Sequence, residues 1–287
     1  MSTPPSLNLA AARDALATLA RDVATVEILP RFLRVARQEK PDTSLFSEAD
    51  LAAQRYLLAR LPEIDDCPVI GEEMSEAEQH AAWASAEANG TGLWCLDPID
   101  GTTNFINGIP FFAVSIAYLV GGRPQAAITY NPVRDELYAA AKGFGATLNG
   151  RPLPLRQVAD DLSHSVAGVD FKRIPRCLAD RLAGDAPYYS QRNFGCSTLE
   201  WCYLAAGRLD VYLHGGQMLW DYAAGSLILA EAGGHMCTLN EDDFASGPVW
   251  RRGVVAALHP TVFQDWRDWL RAHGDTSTAR PAPGNLG

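Results

Sequence analysis

The sequence has 287 residues, 47% of them hydrophobic and 20% charged, which is ample apolar material for a sizeable buried core. A formal net charge of −10 argues against a nucleic-acid surface, because phosphate backbones are bound by clustered Lys and Arg; the excess acid has to be solvated or bound to cations. No run approaches the ~20 apolar residues of a membrane-spanning helix, and the start MSTPPSLNLAAARD lacks a basic region ahead of an apolar one, so the expected compartment is the cytoplasm, with no membrane or nucleic-acid partner.

Taken in chain order, apolar residues at helical spacing over 9–39 (among them Leu9, Leu16, Leu19, Val23 and Ile28) predict a helix that Pro30 kinks or breaks, behind a six-residue tail. Residues 40–43 read as a loop. Ser47 then caps a second helix to about residue 61, placing Asp50 in its first turn. Pro68-Val69-Ile70 and Leu93-Trp94-Cys95-Leu96 read as buried strands, ending in Gly71-Glu72-Glu73 and in Asp97. Over 111–153 the pattern is an antiparallel meander, with strands at 111–120, 125–130 and 136–141 and a tight turn at Asn149-Gly150. A loop-rich stretch around Phe171-Lys172-Arg173 follows, then a helix over 198–207, a strand over 210–213, and an apolar helix over 222–232 closed by Gly233-Gly234. The polar, Pro- and Gly-bearing segment from His273 reads as a disordered tail. The six cysteines are scattered, with no CxxC pair and no companion histidines, and read as reduced, mostly buried thiols rather than structural zinc ligands.

The most informative segment is Asp97-Pro98-Ile99-Asp100-Gly101-Thr102-Thr103-Asn104. Two carboxylates three residues apart across a proline-stiffened turn can converge on one point, and Gly101-Thr102-Thr103 offers backbone N–H groups and hydroxyls to an anion. A site that holds hard divalent cations against a phosphate needs both sets of groups. Alone, the segment is also compatible with an exposed turn. An EF-hand fits worse, since the twelfth position counted from Asp97 is Gly108, and two intervening residues instead of one separate it from the DxDxT of aspartyl-nucleophile phosphatases. Asp50, Glu72 with Glu73, and Asp221 are further acids, each of which could equally be a helix cap, a solvated acid or a complement to a helix dipole.

Gly71-Glu72-Glu73, then Asp97 to Asn104, then Trp220-Asp221-Tyr222-Ala223-Ala224-Gly225 resemble, in order and spacing, the motifs of the inositol monophosphatase family, and the resemblance covers roughly residues 9–258. It implies an α+β layered sandwich (α-β-α-β-α), here a single unit over 1–287. Within it, about 7–150 would form an N-terminal α+β half with the metal site and about 151–272 a C-terminal α/β half, followed by the tail 273–287. It implies a phosphoric monoester hydrolase, a homodimer by analogy, acting on a small phosphorylated metabolite with two or three Mg²⁺ ions. Glu72, Asp97 and the carbonyl of Ile99 would hold the first metal, and Asp97, Asp100 and Asp221 the second. Asp50, Glu72 and Thr102 would be catalytic, with Thr102 oriented by Asp50 to help activate the attacking water. Gly101, Thr102 and Thr103 would contact phosphate, and Lys40 would correspond to a mobile-loop lysine. An all-oxygen ligand set favours Mg²⁺ over Zn²⁺.

The chain departs from the family pattern in the substrate pocket. Where inositol-hydrolysing members carry a glutamate seven residues before the last metal aspartate, this sequence has His214, followed by Gly215-Gly216-Gln217. A histidine there accepts one hydrogen bond at most, can donate, and would carry positive charge at mildly acidic pH; it is equally readable as a satisfied strand-end residue. With Ser197 and Lys172 as further substrate contacts, Arg173 beside Lys172 and the amide of Gln217 near His214, the pocket is expected to favour a substrate with an additional acceptor or anionic group over inositol 1-phosphate. A nucleotide 3′-phosphate, a sugar bisphosphate or histidinol phosphate are the alternatives, and a catalytically silent metal- or phosphometabolite-binding protein is the competitor of another class.

Overall fold

Asn8 starts helix α1 (Leu9–Val23), its side-chain oxygen accepting the N–H of Ala11 at 3.1 Å, and the helix turns Ala12, Leu16, Leu19, Ala20 and Val23 inward. The helical path continues only as a π turn over Ala24–Ile28 and breaks ahead of Pro30, which cannot donate to it, as the sequence leads one to expect. The computed structural model describes residues 7–34, 38–39, 45–46 and 48–274; Lys40, Ser47 and the tail beyond 274 lie outside these residues. Strands β1 (Gln38–Glu39) and β2 (Leu45–Phe46) pair antiparallel, and helix α2 (Glu48–Arg60) follows with Asp50 in its first turn.

The next segment builds a seven-stranded sheet. Strand β3 (Val69–Gly71) is followed by α3 (Glu76–Asn89), β4 (Gly92–Asp100), the short α4 (Thr102–Ile106), β5 (Ala113–Val120), β6 (Arg123–Asn131), β7 (Glu136–Ala141), β8 (Ala146–Leu148) and β9 (Arg151–Pro152). The strands lie in sequence order, with β3 parallel to β4 and the rest antiparallel. Helix α3 was not foreseen, although Ser75 and Glu78 form a capping box, the glutamate accepting the Ser75 N–H at 2.9 Å.

A second, five-stranded sheet comes from the C-terminal part: β10 (Val166–Asp170), α5 (Arg176–Gly184), β11 (Ser190–Arg192), α6 (Ser197–Ala205), β12 (Val211–Met218), α7 (Leu219–Glu231), β13 (His235–Cys237), β14 (Arg251–Ala257) and α8 (Pro260–His273). Its order is β11-β10-β12-β14-β13, with β10 parallel to both neighbours and β14 antiparallel to both of its own. The stretch expected to be mostly loop thus holds two strands and a helix.

Side-chain alternation along β4 assigns the layers. Trp94 and Leu96 join the core that α1 and α2 close, whereas Leu93 and Cys95 join the core formed with α6 and α7, which lie between the sheets. A third core packs α5 and α8 on the outer face of the second sheet. The result is the α-β-α-β-α stack, with both faces of the first sheet covered, which is why β4 and β5 read as nearly continuous apolar runs. Each core holds one fully buried tryptophan (Trp94, Trp201 and Trp266). Each indole N–H has a partner, Asp65 O at 2.9 Å, Gln217 Oε1 at 2.8 Å and Tyr212 O at 3.1 Å respectively, as buried indoles require.

Between the sheets, α6 and α7 meet at Gly225, where a Cβ would stand 2.4 Å from the Cβ of Trp201. Because that neighbour is anchored to its own backbone, the overlap outweighs the helix-propensity gain of about 1 kcal/mol. We expect Gly225→Ala to destabilise the protein by about 1–3 kcal/mol, as an overpacked core does. Thermal unfolding checks this, and an unchanged melting temperature would show that the two helices are not packed this closely.

Candidate active site

Two residues three apart on a regular strand point to opposite faces. Asp97 and Asp100 escape this rule because β4 is bulged: Asp97 pairs with Ser115 and Asp100 with Ala113, so three steps on β4 oppose two on β5. The extra residue returns both carboxylates to the side facing α6 and α7. Pro98, which cannot donate to a ladder, sits inside the bulge. The segment expected to be a proline turn after a strand ending at Leu96 is therefore a strand running on to Asp100.

The bulge brings Asp97, Asp100 and Asp221 together, with one oxygen of each within 4.8 Å of the others. Each is held by a backbone donor. Asp97 accepts the Ile99 N–H at 3.0 Å, Asp100 the Thr198 N–H at 2.6 Å in the first turn of α6, and Asp221 the Met218 N–H at 2.8 Å at the start of α7. Asp221 thus serves as a helix cap and as a member of the cluster. Glu72 follows β3, its N–H bonded to Leu96 O at 3.2 Å, and its charge acts on both Asp97 and Asp221. Asp50 is buried, and 52 positions along the chain the Thr102 hydroxyl lies 3.2 Å from its Oδ1 and 3.0 Å from the carbonyl of Ile99. Gly101, at φ 86, starts α4. The N–H groups of Thr102 and Thr103 fall in its first turn, where no intrahelical acceptor exists.

Burial, then the charges of Glu72, Asp100, Asp221 and Asp50, push the Asp97 carboxyl well above its ordinary range. Asp221 is raised in the same sense, by burial and by Asp100 and Glu72, against the pull of the Met218 N–H and Arg173. A site that disfavours its own charges this strongly suits a cation, and the donors are all oxygens, which hard divalent cations prefer.

Beside the cluster lies a cavity of about 170 Å³ whose wall includes Asp100, Asp221, Ser197, Lys172 and His214. Ser197 Oγ is 3.3 Å from Asp100 Oδ2. His214 differs from expectation: its Nδ1 accepts the Gly216 N–H at 3.1 Å, which leaves the proton on Nε2, and burial pushes its pKa down to about 4. It stays neutral at mildly acidic pH. Gln217 is fully buried, bonded to Trp201 and Tyr212, and does not line the cavity.

Sequence reasoning missed three side chains of this wall. Asp170 is the cross-strand partner of His214, its Oδ2 3.6 Å from Nε2, so a carboxylate is present after all, delivered by the neighbouring strand. Glu200, pushed up to about 7 by burial against the Phe194 N–H at 2.6 Å, is the second. Cys196 is the third, its thiol 3.2 Å from Asp100 Oδ2. Only Glu200 left a trace, as an acid on the inward face of an apolar helix. Two larger grooves, of about 460 and 370 Å³, adjoin the β5–β6 turn and contain none of the clustered carboxylates.

The sequence profile of the inositol monophosphatase family matches residues 7–270. The chain is 34% identical to the Nus factor SuhB of Pseudomonas aeruginosa, across 96% of this chain and 99% of that protein. It is 38% identical to an inositol-1-monophosphatase of Mycobacterium bovis across 69% of each. Among solved structures, the extragenic suppressor protein suhB of Bartonella henselae matches with a TM-score of 0.76 at 26% identity, covering 91% of this chain and 98% of that one.

The cluster's electrostatics have a measurable sign. Because the folded-state pKa of Asp97 lies above its ordinary value of 3.8, its contribution to stability is present below 3.8 and is lost as the pH rises toward the folded-state value. In EDTA, Asp97→Asn should therefore gain on the parent in melting temperature, by several degrees, between pH 4 and pH 7. Added Mg²⁺ should raise the parent's melting temperature more than the variant's. A difference independent of pH and of Mg²⁺ would show that the carboxylates do not act as a charged cluster.

Proposed function

Since the chain belongs to the inositol monophosphatase family, we propose that it is a Mg²⁺-dependent phosphatase that hydrolyses a small phosphate monoester by direct attack of water. The observation that carries this reading is the convergence of Asp97, Asp100 and Asp221 next to the Asp50–Thr102 pair. In the proposed assignment Glu72, Asp97 and the carbonyl of Ile99 hold one ion, and Asp97, Asp100 and Asp221 a second. Bound Mg²⁺ would supply Lewis acidity toward the phosphate oxygens and lower the pKa of water.

The remaining work falls to the chain. Thr102 has one hydroxyl proton and two neighbouring acceptors, Asp50 and the Ile99 carbonyl. With that proton on Asp50, its lone pairs face outward and orient a water hydrogen, so that the water oxygen points at phosphorus. As the new P–O bond forms and the ester P–O bond breaks, the water proton passes to the Thr102 oxygen while the hydroxyl proton of Thr102 passes to Asp50, and the leaving alkoxide takes up a proton from solvent. The first-turn N–H groups of Thr102 and Thr103, with Gly101, are suited to the phosphate oxygens. Ser197, His214 and Lys172 line the space for the alcohol portion.

The six cysteines are free of disulfides, which supports a cytoplasmic setting, and among the described residues no helix is long and apolar enough to cross a membrane. We take the homodimer as part of the same proposal. The relatives that bear the name Nus factor bring the competing reading of a role without catalysis; the intact Asp50–Thr102 pair favours the enzyme.

Phosphate release from p-nitrophenyl phosphate with Mg²⁺ and with EDTA decides between them, and no metal-dependent release would refute the phosphatase. Asp50→Asn and Thr102→Ala should each lower kcat by about 10²-fold or more with little change in KM. The double variant should be no slower than the worse single one, because the pair acts as a unit. Fully additive losses would reduce Asp50 to a helix-capping acid.

A further inference from the structure

Beyond the end of β10 the chain turns back through Phe171-Lys172-Arg173, and Arg173 adopts φ 64, a left-handed conformation that is unfavourable for any residue with a Cβ. The turn rests on Gly215 of β12: a Cβ there would stand 2.1 Å from the carbonyl oxygen of Arg173. Gly215 and Gly216 lie in a bulge of their own, since His214 pairs with Val254 and Gln217 with Arg252, three steps against two. Bulge and turn are shaped for each other, and what they present is the Arg173 side chain. Its Nη1 donates to Gly216 O at 3.3 Å, whereas its Nε is buried without a partner; its charge is felt by Asp221, but no direct hydrogen bond joins the two among the described residues.

The same cavity wall holds Arg173, Asp100 and Asp221. Two further acids on that wall already have donors: Asp170 accepts the Lys172 N–H at 2.6 Å and lies by His214, and Glu200 accepts the Phe194 N–H. A half-buried guanidinium held in a strained turn, with donors to spare, offers the fork that matches a carboxylate or a phosphate. On the phosphatase reading given above, on which this inference rests, the scissile phosphate sits at the carboxylate cluster and the alcohol portion fills this cavity. We propose that Arg173 is a specificity-determining residue that binds a second anionic group, a phosphate or a carboxylate, carried on the alcohol portion of the substrate.

The test is steady-state phosphate release with Mg²⁺ from two matched pairs: inositol 1-phosphate against inositol 1,4-bisphosphate, and glycerol 3-phosphate against 3-phosphoglycerate. In at least one pair the doubly anionic ester should have a kcat/KM about tenfold higher or more, the size of one charge-assisted hydrogen bond, and the gain should lie in KM. Which pair shows it tells a second phosphate from a carboxylate. In Arg173→Gln the preference should fall to within about twofold. Gly215→Ala, which retains the arginine but displaces its turn, should lower the preference too, with thermal melting confirming that both variants fold. Hydrolysis by the parent without preference, or a preference that survives Arg173→Gln, overturns this inference alone. A parent that releases phosphate from none of these esters nor from p-nitrophenyl phosphate overturns the phosphatase reading and this inference with it.

Discussion

Three carboxylates whose oxygens approach within 4.8 Å repel one another by about 3.5 kcal/mol for each ionised pair, taking an effective dielectric of 20, and Asp97 is almost wholly out of water. The protein meets this constraint with oriented backbone. Asp97, Asp100 and Asp221 each accept one N–H, from Ile99, Thr198 and Met218. Those of Thr198 and Met218 stand at the starts of α6 and α7, the positive ends of two helices. Such donors ease the repulsion without removing it, and a cation would complete the balance. The arrangement of the layers follows from the same requirement, because the starts of both interlayer helices must reach the end of β4.

Two strand irregularities do the positioning. The bulge in β4 turns Asp97 and Asp100 to one side, and that in β12 seats the Arg173 turn on Gly215. Each inserts one residue and so changes which face a side chain occupies. The regular parts of the same strands are plain apolar alternation serving three cores. Chemistry is concentrated where the regularity breaks.

The cavity beside the cluster shows how a pocket can keep its chemical character while its residues move between strands. His214 stands where the resemblance expects a glutamate, yet Asp170, one strand over and in register with it, faces the same space. Neutral His214 and the carboxylate of Asp170 together offer a donor and an acceptor to hydroxyl groups, and Lys172 with Arg173 adds positive charge at the rim. That combination differs from a lone carboxylate and is the physical basis of the proposal that the substrate carries a second anionic group.

Much of this was legible in the residues themselves. The meander of β5 to β7, the helical position of Asp50, and the motifs around Glu72, Asp97 and Asp221 depend on local spacing and turn chemistry, and each appears close to where the pattern put it. Asp97, Asp100 and Asp221 do come together, although the motif could not tell a bulged strand from a turn. Bulges are defined by the partner strand, whose register a local pattern does not contain. Helix α3 carries a local signal, the Ser75–Glu78 capping box, whereas β10 and β11, the carboxylate of Asp170, the thiol of Cys196 on Asp100, the neutrality of His214 and the burial of Gln217 were decided only by the tertiary structure. Each depends on a neighbour far away in the chain, and burial and pairing across strands and layers set both the protonation of a group and the direction it faces.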